Sequence, residues 1–336
     1  MPPSSSRASE LPITWRASLR EALPRIVVGA GLGTLALWLA FREIDWPTLG
    51  TALRNIHYTL AALALLSVLT VLLMSTARWR LLFYPDHQGL PWRGLFNGIV
   101  LAQMLNIIIP ARLGDVARAY ALPVSERISK VRILATVVIE KTIDLGVVGL
   151  SVFLLLLTVS LPPWLRNSGK ALLVTILVAV CVVVILGFRG SLLLAWVERQ
   201  LQRFPGAWGV RFTGYTRSML DGFSSVRYPR ISFYVWGLSF LMMVVAATTN
   251  YILFIALDLR LPPIAALFLL VVLQIGIAPP SLPGKIGVFH YLVVLGLSVY
   301  SVDKSVALSY AIVLYVVALL PKIVIGAVIL GLKKYI

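Results

Sequence analysis

The sequence is poor in the residues that build disulfides, metal sites and acidic surfaces. Its 336 residues include one cysteine, three histidines and 13 acidic residues, against 30 lysines and arginines. A single cysteine, Cys181 in an apolar segment, excludes an intrachain disulfide and a cysteine-based metal site. We therefore expect neither a metal nor a cofactor.

The net charge of +17 comes without any recognisable nucleic-acid-binding module, because the sequence has no zinc-finger spacing and no mixed aromatic and basic strip. We therefore predict no nucleic-acid partner. In a membrane protein, a positive balance of this size is typical of basic loops that face anionic lipid head groups.

The apolar content is very high. Hydrophobic residues make up 59% of the chain, charged residues only 13%, and the mean hydropathy is +0.92. This composition predicts a multi-pass protein of the cytoplasmic (inner) membrane. Residues 1–25 are polar and basic and are predicted to form a cytoplasmic tail, followed by a retained first helix. The apolar segments lie at 26–41, 58–77, 133–159, 171–188, 232–257 and 306–330.

One short motif occurs twice. Pro110-Ala111-Arg112-Leu113-Gly114 recurs as Pro283-Gly284-Lys285-Ile286-Gly287, and Thr76-Ala77-Arg78-Trp79 upstream of the first copy corresponds to Thr248-Thr249-Asn250-Tyr251 upstream of the second. Each copy interrupts an apolar region, at 94–122 and at 264–301. Paired segments broken by Pro and Gly at matching places in two halves predict a binding site at the repeat interface.

The distribution of basic residues predicts the topology. If the short apolar run 94–109 crossed the membrane, the basic segments 110–132 and 189–230 would lie outside, against the positive-inside tendency. If both interrupted regions are re-entrant hairpins, most lysines and arginines lie inside, including those of the loop 78–93 and of 189–230, which we interpret as an amphipathic cytoplasmic connector.

The predicted fold is therefore an all-α polytopic membrane protein built from two inverted repeats. The first repeat covers 26–160 and the second covers 161–336. Each repeat contains three transmembrane helices and one re-entrant helical hairpin, and both termini are cytoplasmic. The two hairpin tips are predicted to meet near the membrane midplane, where non-helical backbone must be buried or line a wet cavity.

Three charged residues interrupt one apolar segment. Glu140, Lys141 and Asp144 each cost roughly 2.5–3.5 kcal/mol at a bilayer centre. Glu140 and Asp144 share a helix face, and Lys141 and Asp144 are three residues apart. Two interpretations stay open: a charged cavity wall that binds a coupling cation or carries a proton, or a self-satisfied Lys141–Asp144 pair that fixes helix packing.

A second stripe follows the first hairpin tip. Arg112, Asp115 and Arg118 recur every three residues on a helix that begins there, and a helix N-terminus with arginines suits a phosphate. Lys285 would offer the equivalent cation from the second tip, and Lys322 is a weaker candidate. The alternative for the arginines is ordinary anchoring at the cytoplasmic surface.

The remaining candidates are uncharged or titratable residues of the hairpins. Asn106 and Gln274 are predicted to satisfy broken backbone, and His290 is either a proton-sensing residue or a packing histidine. The predicted tips also include Pro110, Gly114, Pro283, Gly284 and Gly287.

The sequence resembles the flippase-like transmembrane family typified by the membrane half of lysylphosphatidylglycerol synthase (the multiple peptide resistance factor). The resemblance extends over nearly all of the chain after its tail, and it implies that the matching positions line a lipid-translocation path. The family often has an acidic residue near His290 and an arginine near Lys141, where this chain departs from it. The motifs are Asn106…Pro110-x-Arg112-x-Gly114-Asp115-x-x-Arg118, Glu140-Lys141-x-x-Asp144 and Pro283-Gly284-x-x-Gly287-Val288.

We therefore expect a translocase that moves a phospholipid or a polyprenyl-phosphate-linked lipid by alternating access. The family's aminoacyl-transferring members carry a soluble domain after the membrane part, whereas this chain ends at Lys333-Lys334-Tyr335-Ile336, so we expect no such enzyme activity. One alternative is a membrane-embedded transferase with a polyprenyl-phosphate donor, supported by Glu43 and Asp45 in the first external loop. Another is a non-catalytic partner of a lipid-modifying enzyme.

Overall fold

The computed structural model describes residues 31, 33–42, 44–85, 89–109, 113–121, 129–159, 166–182, 185, 228–277 and 282–333, and all regular structure among them is helical. The all-α prediction is therefore confirmed for this part of the chain. The helices are α1 (33–41), α2 (Trp46–Arg54), α3 (Tyr58–Leu81), α4 (Trp92–Ile108), α5 (Leu113–Ala121), α6 (Lys130–Thr158), α7 (166–182), α8 (Pro229–Ala256), α9 (Pro263–Gly276), α10 (Val288–Ser298) and α11 (Lys304–Lys333).

Four of these helices are long and apolar enough to cross a membrane: α3, α6, α8 and residues Lys304–Leu332 of α11. They correspond to four of the apolar segments predicted from the sequence, and they make the chain a multi-pass membrane protein. The predicted first span, 26–41, and the predicted span 171–188 lie partly outside the described residues, as does most of the connector 189–230.

The helices α3 and α8 pack against each other and run antiparallel. The hydroxyl oxygens of Ser67 and Thr249 are 2.6 Å apart, and further along α3 the Arg78 Nη1 donates to the hydroxyl of Ser239 at 2.8 Å. Because the residue numbers of the contacts decrease along α8 as they increase along α3, the two helices run in opposite directions. Small polar residues at such contacts are typical of helix packing in membranes.

The two interrupted regions each contain a pair of packed helices, α4 with α5 and α9 with α10. In the first, Gly114 packs so closely that a Cβ there would clash with the backbone carbonyl of Ala102. In the second, Gly276 lies against Leu292 and Gly296 lies against Leu269, so α9 and α10 are antiparallel. The tip residues 110–112 of the first hairpin lie outside the described part of the chain.

The tip of the second hairpin is described from Leu282 onwards, since residues 278–281 lie outside the described part of the chain. A short 3₁₀ turn, Pro283–Lys285, precedes α10, and Gly284 and Gly287 adopt positive φ angles of 74° and 85°. Glycine occupies this region without steric cost. The Tyr315 hydroxyl of α11 donates to the carbonyl of Gly284 at 2.9 Å, which attaches the turn to the last helix.

The packing of the first half is repeated in the second half. The helix α3 packs on α4 as α8 packs on α9, and α5 packs on α6 as α10 packs on α11. The contacts between the halves are also paired, because α4 packs on α11 and α9 packs on α6. These pairs join helices that the duplicated motif makes equivalent.

Loops assigned to opposite sides of the membrane lie at opposite ends of the spanning helices. At one end, the Lys304 ammonium donates to the carbonyl of Arg42 at 2.5 Å, and the His57 amide donates to Ala256. At the other end, an Arg132 side-chain nitrogen donates to the carbonyl of Phe83 at 3.4 Å. The distribution of basic residues assigns the loops at the first end to the outside and the loops at the other end to the cytoplasm.

We predict that a cysteine at Ser129 reacts with a membrane-impermeant maleimide only from the cytoplasm, and that a cysteine at Asn55 reacts only from outside. Both residues are exposed at opposite ends of spanning helices. The background is Cys181→Ser, since Cys181 is exposed and free. Labelling of intact cells and of inverted vesicles gives the two readings. Reaction of both cysteines from the same side would contradict this topology.

Candidate functional site

A cavity of about 260 Å³ lies among the spanning helices, and residues of both halves line it. Its lining includes both polar and apolar side chains. The apolar wall consists of Val71, Val147, Met242, Met243 and Ala246. The polar wall consists of Ser75, Arg78, Gln103, Asn106, Asp115, Arg118, Glu140, Lys141, Asp144, Ser239 and Gln274.

The polar wall is built around the carboxylate of Glu140. Its Oε1 lies 3.0 Å from Arg78 Nη2, and its Oε2 accepts a hydrogen bond from Arg118 Nη1 at 2.6 Å. The three side chains are only 2–3% exposed. They come from α6, α3 and α5 respectively, so the interaction joins three helices. Pairing is needed because each charge alone would be costly to bury.

Arg78 also connects the two halves. Its Nη1 lies 2.5 Å from the Asp144 carboxylate and donates to the Ser239 hydroxyl of α8 at 2.8 Å. The assignment of Arg78 to the cytoplasmic loop 78–93 is wrong, since α3 continues to Leu81 and buries this side chain. The duplicated motif contained a signal for it, because Arg78 aligns there with Asn250.

Trp79 supports the second arginine from the opposite side. The Arg118 guanidinium carbon lies 5.2 Å from the centre of the Trp79 ring, within the range of a cation–π interaction. The indole nitrogen donates to the hydroxyl of Thr136 at 3.1 Å, which fixes the ring. Trp79 is fully buried, so this contact is shielded from solvent.

The more accessible charges form an outer layer of the site. Lys141 lies 3.6 Å from Asp115, which also accepts a hydrogen bond from the Asn106 amide at 3.1 Å. The side chains of Lys141 and Asp144 are 43% and 39% exposed. The predicted Lys141–Asp144 pair is thus replaced by two other pairs, Lys141 with Asp115 and Asp144 with Arg78.

Among the described residues that line the cavity, three are cationic (Arg78, Arg118 and Lys141) and three are anionic (Asp115, Glu140 and Asp144). This part of the lining therefore offers charges of both signs. A molecule that enters must exchange partners with the internal ion pairs.

The equivalent position of the second half is neutral. Asn250, which aligns with Arg78, is buried in α8. Its side-chain oxygen accepts a hydrogen bond from the Tyr310 hydroxyl of α11 at 3.1 Å, and its amide donates to the carbonyl of Ala266 at 3.4 Å. The charges of the site therefore belong to the first half, although helices of both halves enclose it.

The structure brings together Asn106, Asp115, Arg118, Glu140, Lys141, Asp144 and Gln274 of the predicted residues around one cavity. Gly114 packs beside Asn106, and the Gln274 amide faces the Met243 sulfur at 3.5 Å. Pro110 and Arg112 lie outside the described residues.

The other predicted cations and the histidine lie away from this lining. Lys285 is in the turn of the second hairpin with a positive φ of 58°, and Lys322 follows Pro321 in α11. The His290 ring is buried beside the rings of Phe41, Phe289 and Tyr315, with centroids 5.1–6.3 Å apart. Lys285 is therefore not among the described residues that line the cavity containing Arg118.

A family model described as "Lysylphosphatidylglycerol synthase TM region" matches residues 26–326. This range contains all four candidate spans except the last helical turns of α11, and every residue that lines the cavity. No curated protein sequence matches the chain.

We predict that Arg118→Gln destabilises the protein far more than Lys141→Gln, although both remove one positive charge. Breaking a buried ion pair leaves Glu140 under-compensated and costs about 3–5 kcal/mol. The half-exposed Lys141 interacts with Asp115 through solvent and contributes about 1 kcal/mol or less. SDS-induced unfolding of the purified proteins measures the difference. Equal, small losses in both variants would contradict a structural role for the buried cluster.

Proposed function

Because the chain belongs to the family of the lysylphosphatidylglycerol synthase transmembrane region, we propose that it is a lipid translocase that moves the head group of a phosphate-containing lipid across the membrane. The proposal starts from the membrane-spanning helices and from the lipid-related family. The observation that supports it most directly is the cavity among the spanning helices.

The lining of the cavity offers contacts to both parts of a lipid. The charged wall, with Lys141 and Asp144 accessible, suits a polar head group, and the apolar wall around Met242 suits the first carbons of the chains. A volume of about 260 Å³ is smaller than that of most pockets for drug-sized ligands, which hold roughly 300–1,000 Å³. The cavity therefore favours a small phosphate head group over a lipid-linked oligosaccharide.

The proposed mechanism is alternating access between two inverted repeats. Its support is that α3 and α8, which the duplicated motif makes equivalent, pack in opposite directions, and that the helix contacts of one half recur in the other. One glutamine from each interrupted region, Gln103 and Gln274, lines the cavity. Sites at the interface of inverted repeats are common in secondary transporters.

In this proposal the phosphate interacts first with Lys141 and then with Arg118, while Asp115 and Asp144 face a coupling cation or the positive part of a zwitterionic head group. We propose Arg112, Lys285 and Lys322 as further residues that bind the phosphate along its path. Lys285 and Lys322 lie outside the cavity lining, and Arg112 lies outside the described residues.

A membrane-embedded transferase is the rival function, and one observation weighs against it. The Asp45 carboxylate accepts a hydrogen bond from the Thr48 hydroxyl at the start of α2, and the Asp45 amide donates to Ser305. Asp45 is thus engaged in joining α2 to α11. Glu43 lies outside the described residues.

We expect Lys141→Gln to slow lipid translocation by about 10- to 100-fold, because one charge-assisted hydrogen bond to the phosphate is worth about 1.5–3 kcal/mol. Reconstituted liposomes with fluorescent phosphatidylglycerol, bleached from outside by dithionite, report the rate. Arg93→Gln is the matched control, since Arg93 is exposed and lies outside the cavity lining. Wild-type liposomes that behave like protein-free ones would refute the translocase.

We expect the double variant Glu43→Gln with Asp45→Asn to retain most of the translocation rate. A transferase that uses these acids would lose its activity when both are neutralised, whereas the cavity is unaffected. The same liposome assay measures the rate at matched protein content. Loss of lipid movement with normal folding would favour the enzyme.

A further inference from the structure

We propose that Glu140 is an internal stand-in for phosphate, and that the Arg78–Arg118 pair binds a phosphate or phosphodiester group once Glu140 moves aside. This inference rests on the proposed function and names the binding position within it. Two arginines from different helices converge on one carboxylate, and each donates to a different oxygen. Arginine binds carboxylates and phosphates with the same planar set of donors.

The carboxylate leaves part of this binding position unsatisfied. Among the described residues, the Nε atoms of Arg78 and Arg118 are buried without any hydrogen-bond partner. Buried polar atoms are normally paired, so two unpaired donors beside one cavity require an explanation. A phosphate has more oxygens than a carboxylate and arranges them tetrahedrally. It can therefore accept from the Nε donors that a planar carboxylate does not reach.

The stand-in also explains how the empty protein tolerates two buried arginines. Without an anion between them, Arg78 and Arg118 would repel each other in a medium of low dielectric constant. Glu140 supplies that anion when no ligand is present. Replacing its single negative charge with that of a phosphodiester keeps the charge between the arginines unchanged.

The exchange gives the ligand a route out as well as in. A phosphate held permanently by two buried arginines would be trapped, whereas a tethered carboxylate at high local concentration competes for the same donors. The displaced Glu140 is negative, and Lys141 is adjacent to it on α6. The half-exposed Asp144 contacts Arg78 only, so it does not occupy the position between the arginines.

The decisive experiment compares Glu140→Gln with Asp144→Asn in the purified full-length chain. Both variants remove one negative charge beside Arg78, but only the first removes the competitor. Isothermal titration uses dioctanoyl phosphatidylglycerol as the lipid probe and sn-glycerol 3-phosphate as the free-phosphate probe. We expect Glu140→Gln to bind the lipid about 10- to 100-fold more tightly than wild type, and Asp144→Asn to change affinity by a few-fold at most.

The outcomes separate the possibilities. Tighter binding of the lipid in Glu140→Gln supports the stand-in, and the glycerol phosphate titration shows whether the phosphate group suffices without chains. Equal changes in both variants would mean that only net charge matters, and an unchanged affinity in Glu140→Gln would equally overturn the inference. The double variant Arg118→Gln with Glu140→Gln restores the charge balance and should bind no more tightly than wild type.

A measurement on the wild-type chain covers the case in which Glu140→Gln does not fold. A membrane-permeant carbodiimide should modify Glu140 faster when dioctanoyl phosphatidylglycerol is present, because binding releases the carboxylate from the arginines. Peptide mass spectrometry reads the modification at Glu140 and at Asp144. Protection of Glu140, or no change, would overturn the inference.

Lipid translocation in liposomes is measured separately. A protein that binds phosphate by exchange with Glu140 but moves no lipid would therefore refute the proposed translocase function and leave this inference intact.

Discussion

The carboxylate of Glu140, held between Arg78 and Arg118, is the interaction on which the central part of the structure depends. It joins α3, α5 and α6 inside a protein whose spanning helices are otherwise strongly apolar. In such a medium the buried charges of Arg118 and Glu140 depend on their pairing, and Arg78 is compensated by Glu140 together with Asp144. The short helix α5 is consequently fixed against α6 by charge as well as by packing.

This dependence explains the order of accessibility in the cavity. The triad is buried, with Trp79 covering Arg118, while Lys141, Asp115 and Asp144 form a more accessible layer in front of it. The inner charges maintain the arrangement of helices, and the outer ones remain available to an incoming molecule. A lipid head group that reaches the inner charges must therefore first replace existing ion pairs.

Much of the fold was predictable from local properties of the sequence. Apolar length identified the four spanning helices, and the duplicated Pro/Gly motif marked the regions that hold the helix pairs α4–α5 and α9–α10, because each property depends only on neighbouring residues. Which charges meet was not predictable in the same way. Glu140 was recognised as a buried charge, but its partners, Arg78 and Arg118, come from helices distant in sequence, and Arg78 was assigned to a loop because the apolar run seemed to end just before it.

The neutral counterpart of the ionic site has a consequence for the energetics of the two halves. If the repeats exchanged conformations and were chemically identical, the two end states would have equal free energies and equal populations. Arg78 in one half and Asn250 in the other break this degeneracy, since one half holds ion pairs and the other an amide–phenol hydrogen bond. The exchange would expose the ion pairs to water in one state and the amide–phenol hydrogen bond in the other, and these two exposures differ in solvation free energy. One of the two conformations would therefore be more populated at rest, because of a chemical difference that a symmetric duplication lacks.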